Sequence, residues 1–105
     1  FSKMDRKEFI KNEINQDPTD PFNHYLLAIE YQKEGSIKES FDLFEEIITQ
    51  FPDYVATYYT YANALLASEE EDKAEKIIRK GIEEAEKKGA AKALKELKQL
   101  LELNF

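Results

Sequence analysis

The chain has 105 residues, enough for one domain whose hydrophobic core needs no disulfide or metal to stabilise it. It contains no cysteine, which excludes disulfides, thiolate metal sites and cysteine nucleophiles. Its 15 basic and 22 acidic residues give a formal net charge of -7, which disfavours binding to nucleic acid and to anionic membranes. No apolar run approaches the ~20 residues that cross a bilayer, and the start lacks a signal-peptide pattern, so we expect a cytoplasmic protein.

The first predicted helix covers about Lys3 to Gln16 and ends where Asp17-Pro18 interrupts the helical hydrogen-bond ladder. Ser2, followed three residues later by Asp5, is the predicted capping box at its start. The apolar residues form only a narrow stripe on an otherwise charged helix, and they are Met4, Phe9, Ile10 and Ile14.

Two further helices are predicted to form an antiparallel hairpin. Asp20-Pro21 is a helix start, and Gly35 is suited to a left-handed helix end. Ser36 with Glu39 is a capping box that opens the next helix at once, and Pro52 closes it. The predicted buried residues are Leu27, Ala28 and Tyr31 on one helix and Ser40, Phe41, Phe44, Ile47 and Ile48 on the other.

The remaining chain predicts a second hairpin and a final helix. Asp53 is the predicted N-cap of the fourth helix, Ser68 with Glu71 the capping box of the fifth, and Gly89 its end. The predicted buried residues are Tyr58, Tyr61, Ala62 and Leu65, then Ala74, Ile77, Ile78, Gly81, Ile82 and Ala85. The last helix, about Ala90 to Leu103, is expected to cover the hairpin with Leu94, Leu97 and Leu101. No segment alternates as a strand does, so the fold class is all-α with about six helices.

The second hairpin repeats the first with a period of 34 residues. Ala28 recurs as Ala62 and Ser40 as Ala74, which places small residues where the two helices of each hairpin cross most closely. The other recurring positions are Tyr25 with Tyr59, Phe44 with Ile78 and Ile48 with Ile82.

This pattern resembles the tetratricopeptide repeat (TPR) family. The first unit has the family's pattern at Leu27-Ala28, Tyr31, Gly35, Ser40, Phe44 and Pro52, and His24 stands where the family often has tryptophan. The second unit departs from the pattern, since Glu69 replaces the turn glycine and Glu86 the terminal proline. The resemblance implies antiparallel hairpins stacked as a short right-handed superhelix in a single domain. Its parts would be an N-terminal helix (3–18), repeat 1 (21–54), repeat 2 (55–88) and a capping helix (90–105).

Few residues are suited to catalysis. His24 is the only histidine, so a Ser-His-Asp triad would have to use it, and its place in the repeat indicates packing instead. Most carboxylates of the fifth helix precede a lysine or arginine by four residues, which is typical of a solvated helix face. We therefore predict no catalytic residue, no metal site, no cofactor and no enzymatic activity. The enzymatic alternative would require a reaction that is lost in the variant His24→Ala.

The resemblance implies that the first helix of each unit lines a concave groove that binds a peptide or protein. The groove residues would be Phe22, Tyr25, Ile29 and Lys33 from repeat 1, Tyr59, Asn63 and Leu66 from repeat 2, and Lys95 from the capping helix, with Ala56, Lys92 and Gln99 beside them. Family members that grip a chaperone's terminal carboxylate do so with basic and asparagine residues. Tyr25, Ile29 and Thr60 hold the matching places here, so a different peptide with apolar anchors is implied.

Two functional readings stay open. The first is a scaffold that binds a peptide or protein through exposed groove residues. The structural alternative for these residues is that the N-terminal helix or the curvature of the array buries some of them. The alternative is a self-associating module, a homodimer through the C-terminal helix. In that case Leu100, Leu103 and Phe105, which lie beyond the capping stripe, would pair across a symmetric interface.

Overall fold

The computed structural model describes residues 5–105 and contains six α-helices and no strand within that range. The helices are α1 (Arg6–Gln16), α2 (Pro21–Lys33), α3 (Ile37–Gln50), α4 (Ala56–Ala67), α5 (Glu71–Lys88) and α6 (Ala91–Asn104). The all-α, six-helix prediction is confirmed. The predicted cap at Ser2 and the predicted helical residues Lys3 and Met4 lie outside the described residues.

The chain divides into two compact units, Phe1–Phe51 and Pro52–Phe105, which we call the N-terminal unit and the C-terminal unit. The N-terminal unit contains α1 to α3, and the C-terminal unit contains α4 to α6. The prediction of a single domain with two repeats and a capping helix stays a prediction.

In the N-terminal unit, α2 packs against both α1 and α3. The predicted close crossing of α2 and α3 is confirmed, because the Ser40 hydroxyl donates a hydrogen bond of 2.8 Å to the Ala28 carbonyl. Both residues are fully buried, as is Phe44 one turn further along α3. A small side chain at position 40 thus lets the two backbones approach and pairs its own polar atom.

In the C-terminal unit, α5 packs against both α4 and α6. The predicted stripe of α4, formed by Tyr58, Tyr61, Ala62 and Leu65, is fully buried, and so are Ala74 and Ile78 of α5. Gly81 lies in close contact with Tyr58, since a Cβ atom at Gly81 would stand 2.5 Å from the Tyr58 Cβ. The tyrosine can occupy this part of the core only because the facing residue has no side chain.

The buried face of α6 differs from the predicted one. Leu97 is fully buried as expected, but Leu100 is also in the core at 8% exposure, whereas Leu94 and Leu101 are only half-buried. The prediction that Leu100 lies outside the capping stripe is therefore wrong. Leu103 is 83% exposed and Phe105 46% exposed, so these two residues do lie outside the core.

The helix starts were only partly predicted. The Asp20 cap is confirmed, because its carboxylate accepts a 3.0 Å hydrogen bond from the Phe22 amide. Asp5 is itself the N-cap of α1 and accepts from the Glu8 amide at 2.8 Å.

Three other predicted caps differ from the structure. Ser36 is the N-cap residue of α3 as predicted, but it makes no capping bond, since its hydroxyl donates to the Glu34 carboxylate at 3.2 Å. Asp53 lies in the turn before α4, whose N-cap is Val55. Ser68 ends α4 instead of starting α5, which begins at Glu71. Asp53 and Ser68 are not the caps because the sequence pattern places the first residue of a helix only within a few positions.

The turns after α2, α4 and α5 have the same hydrogen-bond pattern. Each has a residue with positive φ, namely Gly35 (85°), Glu69 (60°) and Gly89 (72°). In each the next amide bonds to a carbonyl five residues back, as Ser36 does to Tyr31 at 2.9 Å and Glu70 to Leu65 at 2.9 Å. This is the Schellman arrangement, which satisfies helix-end carbonyls. Glu69 lies 34 residues after Gly35 and has the same left-handed backbone conformation, although a residue with a Cβ atom disfavours it.

We expect Glu69→Gly to stabilise the protein by about 1 kcal/mol, because glycine adopts positive φ without the steric cost that a Cβ imposes. Urea denaturation followed by circular dichroism measures the change. Glu70→Gly is the matched control: it removes the same charge, but Glu70 has φ of -97°, so we expect a loss of about 0.5 kcal/mol. Equal effects of the two substitutions would show that charge, and not backbone conformation, decides the outcome.

Within residues 5–105, no helix combines the length and the apolar character that a bilayer crossing requires.

Candidate protein-interaction surface

The four groove residues predicted in repeat 1 lie on one face of α2, at spacings of three or four residues. Phe22 is 48% exposed and Lys33 is exposed, whereas Tyr25 and Ile29 are half-buried. The face therefore offers one accessible aromatic ring at the start of the helix and a cation at its end.

Lys33 belongs to an ion network that connects α1 with α2. Its ammonium group lies 3.6 Å from the Glu30 carboxylate, which also accepts a 2.6 Å hydrogen bond from Arg6. A second pair, Lys7 with Glu34 at 2.8 Å, joins the same two helices, and the Lys7 ammonium lies 5.2 Å from the centre of the Tyr31 ring. The hydrogen bond between Lys7 and Glu34 raises the pKa of Lys7 and lowers the pKa of Glu34 from their ordinary values. Polar contacts thus contribute much of the docking of α1, which buries only Ile10 fully.

The residues predicted in repeat 2 lie along one face of α4. Tyr59 is 40% exposed, Asn63 is exposed and Leu66 is half-buried. The Asn63 side chain donates a 2.9 Å hydrogen bond to the Tyr59 carbonyl, which fixes the orientation of its amide along the helix. The accessible part of this face is again an aromatic ring beside a polar group.

Lys95 lies on α6 of the C-terminal unit. It is exposed on α6 and borders a shallow depression of about 320 Å³. The depression is lined by Ala91, Leu94, Lys95, Lys98, Gln99 and Glu102, all from α6. Gln99, predicted beside Lys95, takes part, and the residues predicted on α4 do not. The structure therefore groups four predicted residues on α2 and three on α4, and Lys95 borders a depression whose lining comes from α6 alone.

The prediction did not include Lys98 as a binding residue, although it borders the depression beside Lys95. The signal was in the sequence, because positions 91, 94, 95, 98, 99 and 102 follow the spacing of one helix face.

The side chains best suited to acid–base chemistry are engaged in packing. His24 makes a 2.8 Å hydrogen bond through Nε2 to the Pro18 carbonyl, and its ring centre lies 5.6 Å from that of Phe51. This is the structural role that its repeat position predicts. The Tyr58 hydroxyl donates to the Pro52 carbonyl at 2.6 Å, and burial, together with the charge of Glu84, raises the pKa of Tyr58. In the described part of the chain, no three His, Asp or Glu residues are grouped to hold a metal ion.

The comparisons with known proteins agree with this architecture. A tetratricopeptide repeat family profile matches residues 31–98. The solution structure of a tetratricopeptide repeat domain protein from Salinibacter ruber is similar, with 38% identity and a TM-score of 0.77 over 81% of this chain and 86% of that one. A crystal structure of a tetratricopeptide repeat domain protein from the same organism has 36% identity and a TM-score of 0.72, over 78% of this chain and 91% of that one. Among curated proteins, no match to the chain was found.

The chain belongs to the tetratricopeptide repeat family. Repeats of this family generally serve as non-catalytic modules for protein–protein interaction.

We expect the docking of α1 to weaken both in acid and in strong base. The pKa of Glu34 is lowered, so the stabilisation from its pair with Lys7 is present above the ordinary carboxylate value and is lost as pH falls through the lowered one. The pKa of Lys7 is raised, so the same stabilisation is lost again as pH rises through the raised value. Amide hydrogen exchange at Ile10, referenced to the intrinsic rate at each pH, measures the docking.

Glu34→Gln should remove this acid dependence, whereas Glu39→Gln, which alters a carboxylate on the outer surface of α3, should preserve it. An identical acid profile in the Glu34 variant would contradict the assignment of the pair as a docking contact.

Proposed function

We propose that the chain is a non-enzymatic scaffold that binds a peptide or protein segment through the outward faces of α2 and α4. The observation that carries this proposal is the exposure of Phe22 and Tyr59. In α4 the neighbouring Tyr58 and Tyr61 are fully buried, so Tyr59 adds an aromatic ring that this core does not use. Exposed aromatic side chains of this kind are the usual anchors of protein interfaces.

The surroundings of the two rings support the same proposal. Ile29 and Leu66 are half-buried beside them on the same helix faces, while Lys33 and Asn63 are exposed. An apolar centre with a polar border is the ordinary anatomy of a binding surface. Each of the two helix faces is open, so an extended or helical segment is a better fit than a small molecule, which needs an enclosing pocket.

The test uses a random-peptide display library selected against the immobilised protein, with binding of the enriched peptides then measured by fluorescence anisotropy. We expect the double variant Phe22→Ala/Tyr59→Ala to bind about 100-fold more weakly, since aromatic anchors contribute about 2 kcal/mol or more each and are rarely additive. Circular dichroism should show unchanged helicity.

The control is Phe9→Ala/Phe105→Ala. It also removes two exposed rings, 56% and 46% accessible, but from α1 and from the last residue of the chain. An equal loss in both double variants would show general stickiness, and enrichment of no peptide at all would overturn the proposal.

Self-association through the C-terminal helix is the second candidate function. The observation that favours it is the exposure of Leu103 at 83%, with Phe105 close to it in sequence. Leu100 takes no part in such an interface, because it is already buried in the C-terminal unit. A symmetric dimer would bury the two exposed side chains against their copies.

Sedimentation equilibrium over a wide concentration range tests this second candidate. We expect a dimer that Leu103→Glu converts to a monomer, because a carboxylate is costly to bury at an apolar interface. Gln50→Glu is the matched control, since it adds the same charge at an exposed position of α3 and should leave the dimer intact. A wild-type protein that stays monomeric throughout would exclude the candidate.

A further inference from the structure

The outer face of α6 carries three lysines whose side chains form no ion pair or hydrogen bond within residues 5–105: Lys92, Lys95 and Lys98. All three are exposed. They are spaced three residues apart, so each lies about one turn from the next on the same side of the helix. They remain without such a partner although the chain has a formal net charge of -7.

The cations of α5 behave differently. Arg79 pairs with Glu75 at 2.9 Å and Lys87 with Glu83 at 3.7 Å, while Lys88 donates to the Asp53 carbonyl at 3.0 Å. Within the described chain, Lys76 and Lys80 of α5 also form no ion pair or hydrogen bond. Lys11 of α1 forms none either, but its ammonium group lies 5.9 Å from the centre of the Tyr31 ring. Lys76 borders a depression of about 310 Å³ whose lining residues are all charged. Lys95 and Lys98 differ from it because their depression is also lined by the apolar residues Ala91 and Leu94.

The depression follows a helix-packing stripe. Its residues are spaced i, i+3, i+4, i+7, i+8 and i+11, which is the pattern by which one helix faces another. Ala91 and Leu94 supply apolar surface at one end, and Lys95 and Lys98 follow, with Glu102 as the last residue. At 1.5 Å per residue the stripe is about 16 Å long, equivalent to three turns of a partner helix.

We propose that this stripe binds an acidic amphipathic helix from a protein partner. Apolar side chains of the partner pack against Ala91 and Leu94, and its carboxylates pair with Lys95 and Lys98. The inference rests on the proposed function, that the chain is a scaffold for a peptide or protein segment. It deepens that function by adding a contact on α6 and by naming the partner's chemistry.

Charge complementarity decides the kind of partner. The chain as a whole repels acidic segments, but screening at physiological salt limits that repulsion to about 8 Å, so the local lysines determine what docks on α6. A basic helix would place its cations against Lys95 and Lys98, which repel them. A purely apolar helix would exclude water from both ammonium groups without pairing them, which is costly. The carboxylates of an acidic helix can form ion pairs with both lysines.

The experiment uses a display library of random 16-residue peptides selected against the wild-type protein, and it compares two double variants with the same charge change. One variant is Lys95→Glu/Lys98→Glu on the stripe. The other is Lys76→Glu/Lys80→Glu, which reverses the remaining unpaired lysines on α5. We expect the enriched peptides to be rich in Asp and Glu and to bind the stripe variant roughly tenfold or more weakly, with the α5 variant close to wild type. Rising salt should weaken wild-type binding.

The other outcomes separate this inference from the proposed function. Neutral or basic peptides that need Phe22 and Tyr59 but tolerate the stripe variant would overturn the inference and leave the proposed function standing. Acidic peptides weakened equally by both lysine variants would show diffuse attraction and overturn the inference. Enrichment of no peptide would overturn both.

A second copy of the chain is the remaining occupant to distinguish, because it is itself acidic. Sedimentation equilibrium of the wild type and of both double variants makes this distinction. Self-association that is lost only in Lys95→Glu/Lys98→Glu would assign the stripe to a homotypic contact and overturn the proposal of a separate acidic partner. A wild-type protein that sediments as a monomer, or whose self-association both lysine variants retain, supports it together with the peptide result above.

Discussion

The close crossing of the two helices in each hairpin is the constraint on which each unit depends. Ser40 meets the Ala28 carbonyl at 2.8 Å, and the equivalent positions of the second hairpin hold two fully buried alanines, Ala62 and Ala74. A larger side chain at any of these positions would separate the backbones and open the layer of aromatic and aliphatic residues behind them. The crossing also fixes which face of each first helix points outward, so the exposed rings of α2 and α4 are a consequence of how the hairpins pack.

The helix-ending turn preserves this register in the second hairpin. Gly35 and Glu69 stand 34 residues apart and adopt the same left-handed conformation, although only the first is a glycine. The hydrogen bonds of the turn and the packing of the crossing hold Glu69 in a conformation that its side chain disfavours. Because the backbone period survives this substitution, Tyr25 and Tyr59 keep equivalent places on α2 and α4.

The sequence predicted those features that depend on local and periodic signals. The small residues of the crossing, the glycine turns and the Asp20 cap were found because each has a fixed spacing and a direct steric or hydrogen-bonding cause. Which leucines of α6 reach the core was not found, because Leu94, Leu97, Leu100 and Leu101 allow two rotations of the helix and only packing against α5 selects one. The candidate site was predicted as a set of positions, but its exposure depends on tertiary packing. For that reason the sequence could not separate exposed Phe22 from half-buried Tyr25.

The charged residues of α1 and the lysines of α6 have different consequences for binding. Where α1 meets α2, basic residues of one helix are matched with carboxylates of the other, so their charges are largely satisfied within the N-terminal unit. On α6 the acidic residue of the stripe, Glu102, forms no pair with Lys98 although it lies four residues further along the same helix. Lysine before glutamate is the weaker order for such a pair, since each charge then opposes the helix dipole. The α6 ammonium groups are therefore left to a partner, whereas those of α1 are already committed to the fold.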